Sequence, residues 1–176
     1  VKHLTKRYGK HTAVDDISFT VQDGCIYGLL GPNGAGKSTL IKILARVYQQ
    51  TSGDVILNGE NLNKVTPGNI RDHGIEFIFQ ELELVPGFTA AQNIMIGIEP
   101  RKGGMVDWKK MNEFAQKALD DFMPGVVDAT ESIDNLSVAK QQLVCIVRAL
   151  SRNPKILVLD EPTSQLDPIA ASDFLN

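Results

Sequence analysis

The stretch Gly31-Pro32-Asn33-Gly34-Ala35-Gly36-Lys37-Ser38-Thr39, GPNGAGKST, decides how this chain is read. It fits the pattern G-x-x-x-x-G-K-[ST], and its flanks supply the context that pattern needs. Before it runs IYGLL (26–30), a continuous apolar run that reads as a buried strand. After it, a helix is expected from about Ser38 to Arg46. The glycines let successive backbone N–H groups turn inward around phosphate oxygens, and the helix N-terminus adds its dipole. Lys37 offers a point charge to β- and γ-phosphates, and the Ser38 hydroxyl can sit on Mg²⁺.

A second motif, ILVLDEP (156–162), ends an apolar strand on two acids. In this architecture such acids lie beside the phosphate loop. Asp160 can hold a magnesium-bound water, and Glu161 is placed to take a proton from the attacking water or to orient it. A glycine-rich turn or an acidic strand end alone would be ordinary. Together they point to nucleoside triphosphate binding.

The remaining pattern alternates strand and helix. ISFTV (17–21) has a period of two and reads as an antiparallel strand. Asn58-Gly59 marks a hairpin, and IEFIF (75–79) is a further strand. Thr89 and Gln92 fit a capping box for a short helix. Asp107 can cap a longer helix whose Met111, Phe114, Ala115, Ala118, Leu119 and Phe122 form a core-facing stripe. Ala139, Leu143, Ile146, Val147 and Leu150 do the same in the helix after Ser137. The order implies an α/β domain, a phosphate-loop NTPase core with a mostly parallel sheet and an antiparallel N-terminal portion. Residues 81–140 are expected to stand out as a helical subdomain from a core of 1–80 and 141–176.

Composition bounds the partners. The 176 residues are 43% hydrophobic and 22% charged, enough for one domain with a core. A net charge of −3 gives no basic footprint for nucleic acid. No uninterrupted apolar run approaches the ~18 residues of a membrane span. Cys25 and Cys145 form no CxxC and are expected to be buried, inert thiols. His3, His11 and His73 lack metal-ligand spacing. No signal-peptide pattern opens the chain, and because it begins at Val1 and not at Met its start is expected to be trimmed.

With these motifs placed, the whole chain resembles the nucleotide-binding domains of ATP-binding cassette (ABC) proteins. Tyr8 in KRYG matches the family's adenine-stacking aromatic, and Gln80, closing IFQ, the glutamine that joins the metal site to the helical subdomain. LSVAKQQ (136–142) matches the signature usually written LSGGQ; Ser164, Leu166 and Asp167 match the loop that crosses to a second domain. The resemblance implies ATP bound by Tyr8, Gly31 to Thr39 and Gln80. It implies Mg²⁺ held by Ser38 with Gln80 and Asp160 nearby, and Glu161 as base beside Lys37. Two cassettes would dimerise head to tail, and Ser137, Ala139 and Lys140 would face the nucleotide of the partner.

The signature departs from the usual form. Val138 and Ala139 stand where glycines are usual, and Lys140 stands where a capping box wants Glu or Gln. A cation there opposes the helix dipole by about 0.3–1 kcal/mol unless an anion arrives or the side chain turns to solvent. SVA in this place is similar to the tandem ATPase subunits of monosaccharide importers, as are YQQTSG (48–53), FQELELVPGFTAAQNIMIG (79–97) and EPRKGGMVDW (99–108). That resemblance implies import of a sugar such as ribose, galactose or xylose. It implies permease subunits as partners, a periplasmic or extracellular sugar-binding protein acting indirectly, and a peripheral place on the cytoplasmic face of the membrane. The second cassette would lie in the same full-length polypeptide, with this chain a C-terminally truncated first cassette, since no histidine here matches the family's γ-phosphate histidine. A soluble ABC ATPase, a GTPase or small kinase, and a fragment that binds ATP without turnover are the rival readings; no NKxD-like motif supports the GTPase.

Overall fold

The N-terminal hairpin is concealed by its own hydropathy. In the computed structural model, which describes residues 1–29 and 31–160, β1 (Lys2–Tyr8) pairs antiparallel with β2 (His11–Ile17). A register shift between Leu4 and Lys6 turns both Leu4 and Thr5 inward, at 0% and 8% exposure. Two consecutive inward residues break the period of two that sequence reading relies on. On its other edge β1 takes β3 (Ser52–Asp54), giving the sheet order β2-β1-β3.

These strands belong to the first of two units, Val1–Ile75 and Glu76–Asn176. The helix after the glycine-rich loop is α1 (Lys37–Leu44), with Leu40, Ile41 and Ile43 buried. Beyond it Arg46 is 6% exposed, and its guanidinium donates to the carbonyls of Asn63 at 2.7 Å and Val65 at 3.3 Å. Asn58 and Gly59, both at positive φ, turn β4 (Ile56–Leu57) into β5 (Glu60–Asn61), as the Asn-Gly pair predicts.

Several expectations differ here. The strand read over 17–21 does not form: β2 ends at Ile17, and Phe19 instead exchanges backbone hydrogen bonds with Val1 at 3.0 and 3.2 Å. Residues 26–29 form no strand and are exposed, Ile26 fully and Tyr27 by half. A buried strand needs a ladder on its edges and cover on its faces. Among the described residues no strand pairs with 26–29, and Tyr27 stacks on Phe19 at 5.4 Å instead. Cys25, expected inside, is exposed in the same segment.

β6 (Ile75–Ile78), which from Glu76 on belongs to the second unit, lies beside β9 (Ile156–Leu159) in one sheet, although the helices intervene in sequence. β9 is a strand as expected but only half-buried. Between them come α2 (Ala90–Met95), the hairpin β7 (Arg101–Lys102) and β8 (Met105–Val106), α3 (Trp108–Phe122) and α4 (Val138–Leu150). The three helices share a core that includes Ala90, Ile94, Met111, Leu119, Val144 and Val147. Burying one such leucine contributes about 1.5–3 kcal/mol. Thr89 and Gln92 close the expected capping box, and the Asp107 side chain caps α3. The α3 stripe is narrower than read: Phe114 and Phe122 stay exposed, as do Ala139 and Leu150 on α4.

Candidate functional site

The glycine-rich loop sits between the hairpin sheet and α1 in the first unit. Gly34 and Gly36 both take φ of 83°, which brings the chain round, and the Ala35 N–H closes on the Pro32 carbonyl at 3.1 Å. Gly31, Pro32, Asn33, Gly34, Ala35 and Ser38 are exposed, while Gly36, Lys37 and Thr39 are half-buried. Gly36 is the N-cap of α1 and offers no side chain to its first N–H groups; the first turn carries no acid. A helix start left open in this way favours an anion. Lys37 bends its ammonium back over the loop and donates to the carbonyls of Gly31 at 2.7 Å and Pro32 at 3.1 Å.

Tyr8, at the turn between β1 and β2, is 45% exposed. Its ring meets Tyr48 edge to face at 6.2 Å, and the Lys6 ammonium lies 4.9 Å from its centroid. Burial, with Tyr48 beside it, raises its phenol above the usual value.

In the second unit Asp160 extends β9 by one ladder bond, its N–H donating to the Ile78 carbonyl at 2.9 Å, and it is buried. Gln80, two residues beyond β6, is exposed. Ser137 caps α4 by accepting from the Lys140 N–H at 3.4 Å, a long bond, with no acid in the first turn. Ala139 is exposed beside it and Lys140 half-buried. Glu161, Ser164, Leu166 and Asp167 lie outside the described residues.

Among the described residues no three His, Cys, Asp or Glu side chains group to hold a metal by themselves. Magnesium on a nucleotide seldom requires such a cage, because phosphates and water supply most of its ligands. The hydroxyl, amide and carboxylate oxygens of Ser38, Gln80 and Asp160 are the hard donors it accepts.

Three side chains that sequence reading missed organise the second unit. Asn93, fully buried, accepts from the Val85 N–H at 2.7 Å and donates back to the carbonyls of Val85 and Thr89. Arg148 donates to the Glu83 carbonyl. Arg152 pairs with the buried Glu76 at 3.3 Å and donates to the Ile96 carbonyl at 2.7 Å. A polar residue inside an otherwise apolar helix stripe, as Asn93 is, was the one available clue.

A phosphate-cradling loop that opens an uncapped helix, set in an α/β fold, defines a nucleotide-binding domain of the phosphate-loop class. The family model described as ABC transporter matches residues 14–164, most of the chain, and the chain belongs to that family. It is 42% identical over 166 residues to the ribose import ATP-binding protein RbsA 2 of Escherichia coli O157:H7, covering 94% of this chain and 33% of that protein. It is 40% identical to the xylose import ATP-binding protein XylG of Thermoanaerobacter pseudethanolicus, covering 100% of this chain and 35% of the relative. The chain thus spans about a third of the length of these relatives. Among solved structures it is similar to the ATP-binding cassette MJ0796, a dimer bound to ADP and Pi. That match has a TM-score of 0.80 and 26% identity, covering 99% of this chain and 78% of the other.

Proposed function

We propose that this chain is the ATP-binding and ATP-hydrolysing cassette of a membrane importer for a monosaccharide. The observation that carries the reading is the open N-terminus of α1 under Lys37, in a chain that aligns nearly end to end with part of ribose and xylose import ATP-binding proteins. Tyr8 stacks on the adenine, and the N–H groups of residues 31–39 hold the phosphates with the Lys37 ammonium. Ser38, Gln80 and Asp160 hold Mg²⁺, which when bound neutralises charge on the phosphates. Glu161 accepts the proton of the attacking water. Ser137, Ala139 and Lys140 face the nucleotide of a second cassette placed head to tail. Residues 81–140 form the subdomain that meets the permease, with 1–80 and 141–176 as the nucleotide-binding core, on the cytoplasmic face of the membrane.

The test uses the full-length protein with Glu161→Gln. The amide keeps the shape of the carboxylate but cannot take the proton. ATP binding persists, hydrolysis falls to near background, and an ATP-loaded dimer accumulates on size exclusion. Turnover at the wild-type rate assigns the base elsewhere. Co-purification supplies the second arm: an importer cassette brings down a membrane permease, whereas a soluble ABC ATPase does not.

A further inference from the structure

The segment between Gln80 and α2 contains no helix or strand, yet its backbone is fastened at four residues. Arg148 on α4 donates to the Glu83 carbonyl. Asn93 on α2 bonds both the N–H and the carbonyl of Val85. The Gly87 N–H donates to Asp134 at 2.8 Å, and the Phe88 carbonyl accepts from the Ile133 N–H at 2.9 Å. Three of these ties lead to α2 or to the turn before α4. Only the first reaches α4 itself, about 16 Å along the helix from Ser137 at 1.5 Å per residue.

Beneath that contact lies a cavity of about 10 Å³, bordered by Phe77, Phe79, Glu81, Glu83, Cys145 and Arg148. Its size is at the lower limit for a single water. Phe77 and Phe79 stack at 6.0 Å on one side of it. Cys145, one turn before Arg148 on α4, is 4% exposed, with the Glu83 backbone against its thiol. The lid over this thiol is the stretch of backbone that Arg148 holds.

We propose that Arg148 is a positioning residue that fixes the Glu83 backbone on α4, so that displacement of the Ser137 end of the helix is carried to Gln80. This deepens the importer-cassette reading and rests on it. The guanidinium suits the task because its planar fork is preorganised. A hydrogen bond from a charged donor is about twice as strong as a neutral one, so a single contact can hold a loop without secondary structure. Released from Arg148, Glu83 would keep its backbone contact with the Cys145 thiol but lose its charged tie to α4, and the cover over Cys145 would loosen.

The experiment compares wild type, Arg148→Met and Arg148→Lys in the full-length protein. Three quantities are read: iodoacetamide labelling at Cys145 followed by peptide mass spectrometry, ATP affinity, and the split of kcat from KM for hydrolysis. Arg148→Met is expected to label roughly tenfold faster through local opening, with ATP affinity within about twofold of wild type and kcat reduced about tenfold. Arg148→Lys, which keeps a charged donor, restores most of both. If Arg148→Met does not fold by circular dichroism, Arg148→Gln carries the same expectations, since its amide is too short to reach Glu83. Wild-type labelling together with wild-type kcat in the folded neutral variant overturns the proposal. Failure of the wild-type protein to bind ATP sinks the cassette reading instead, and the nucleotide-free labelling result is independent of that failure.

Discussion

Gly36 passes so close to Ala13 that a methyl group on its α-carbon would sit 2.1 Å from the Ala13 carbonyl oxygen. That oxygen belongs to the backbone of β2, which is hydrogen-bonded to β1 and cannot easily retreat. The last glycine of the motif therefore does two things. It gives the turn its positive φ, and it seats the start of α1 against the hairpin sheet.

Gly36→Ala should destabilise the protein by about 2 kcal/mol or more, from backbone strain and the forced shift of β2. Gly34 has the same φ of 83° but nothing within 4 Å of an added methyl, so Gly34→Ala should cost only about 1 kcal/mol. Urea unfolding of both variants measures the difference. Equal losses would mean that the loop is not seated on Ala13.

Tyr8→Ala should weaken ATP binding by roughly 1–3 kcal/mol, the scale for a base stacked on an aromatic ring. Tyr8→Phe should bind as wild type, because the ring and not the phenol is used. The edge contact with Tyr48 fixes the ring before the base arrives. Calorimetry that finds Tyr8→Ala normal and Tyr8→Phe weak would assign the residue a hydroxyl role.

Cys145 gives a pH dependence with a definite sign. Burial pushes its thiol up from 9.0 to about 11. Between those values the unfolded chain has lost the proton and the folded one keeps it. This contribution is therefore fully present below pH 9 and is lost as pH rises toward 11. Stability should fall by about 1–3 kcal/mol over that window, and Cys145→Ala should flatten the fall. Urea midpoints at pH 8 and pH 10.5 for both proteins would show it; parallel losses would remove the thiol as the cause.

The local devices were legible wherever residue type dictates geometry. Asn58-Gly59 made its hairpin, Thr89 and Gln92 their capping box, and Asp107 and Ser137 their caps, because each depends on neighbours only two or three residues away. What failed depended on the rest of the fold. IYGLL could be recognised as apolar, but not as lacking a paired strand among the described residues. Leu4 and Thr5 concealed β1 because a bulge sets their direction. The place of Lys37 at the start of α1 was legible from the motif, whereas Asn93 and Arg148 act on carbonyls that any residue could supply. No sequence pattern marks a backbone acceptor.

The most direct measurement is calorimetric titration of MgATP into the full-length protein and its Lys37→Ala variant. In the structure the Lys37 ammonium spends its donors on the carbonyls of Gly31 and Pro32, at the mouth of an uncapped helix. Phosphates entering the loop give that charge a stronger partner, and a charge-assisted hydrogen bond contributes about 1.5–3 kcal/mol. Affinity in the variant should therefore fall by about 10- to 100-fold with its fold intact. ATP binding at wild-type strength in a folded Lys37→Ala protein would contradict the assignment of residues 31–39 as the phosphate site, and with it the account of this chain as a nucleotide-driven cassette.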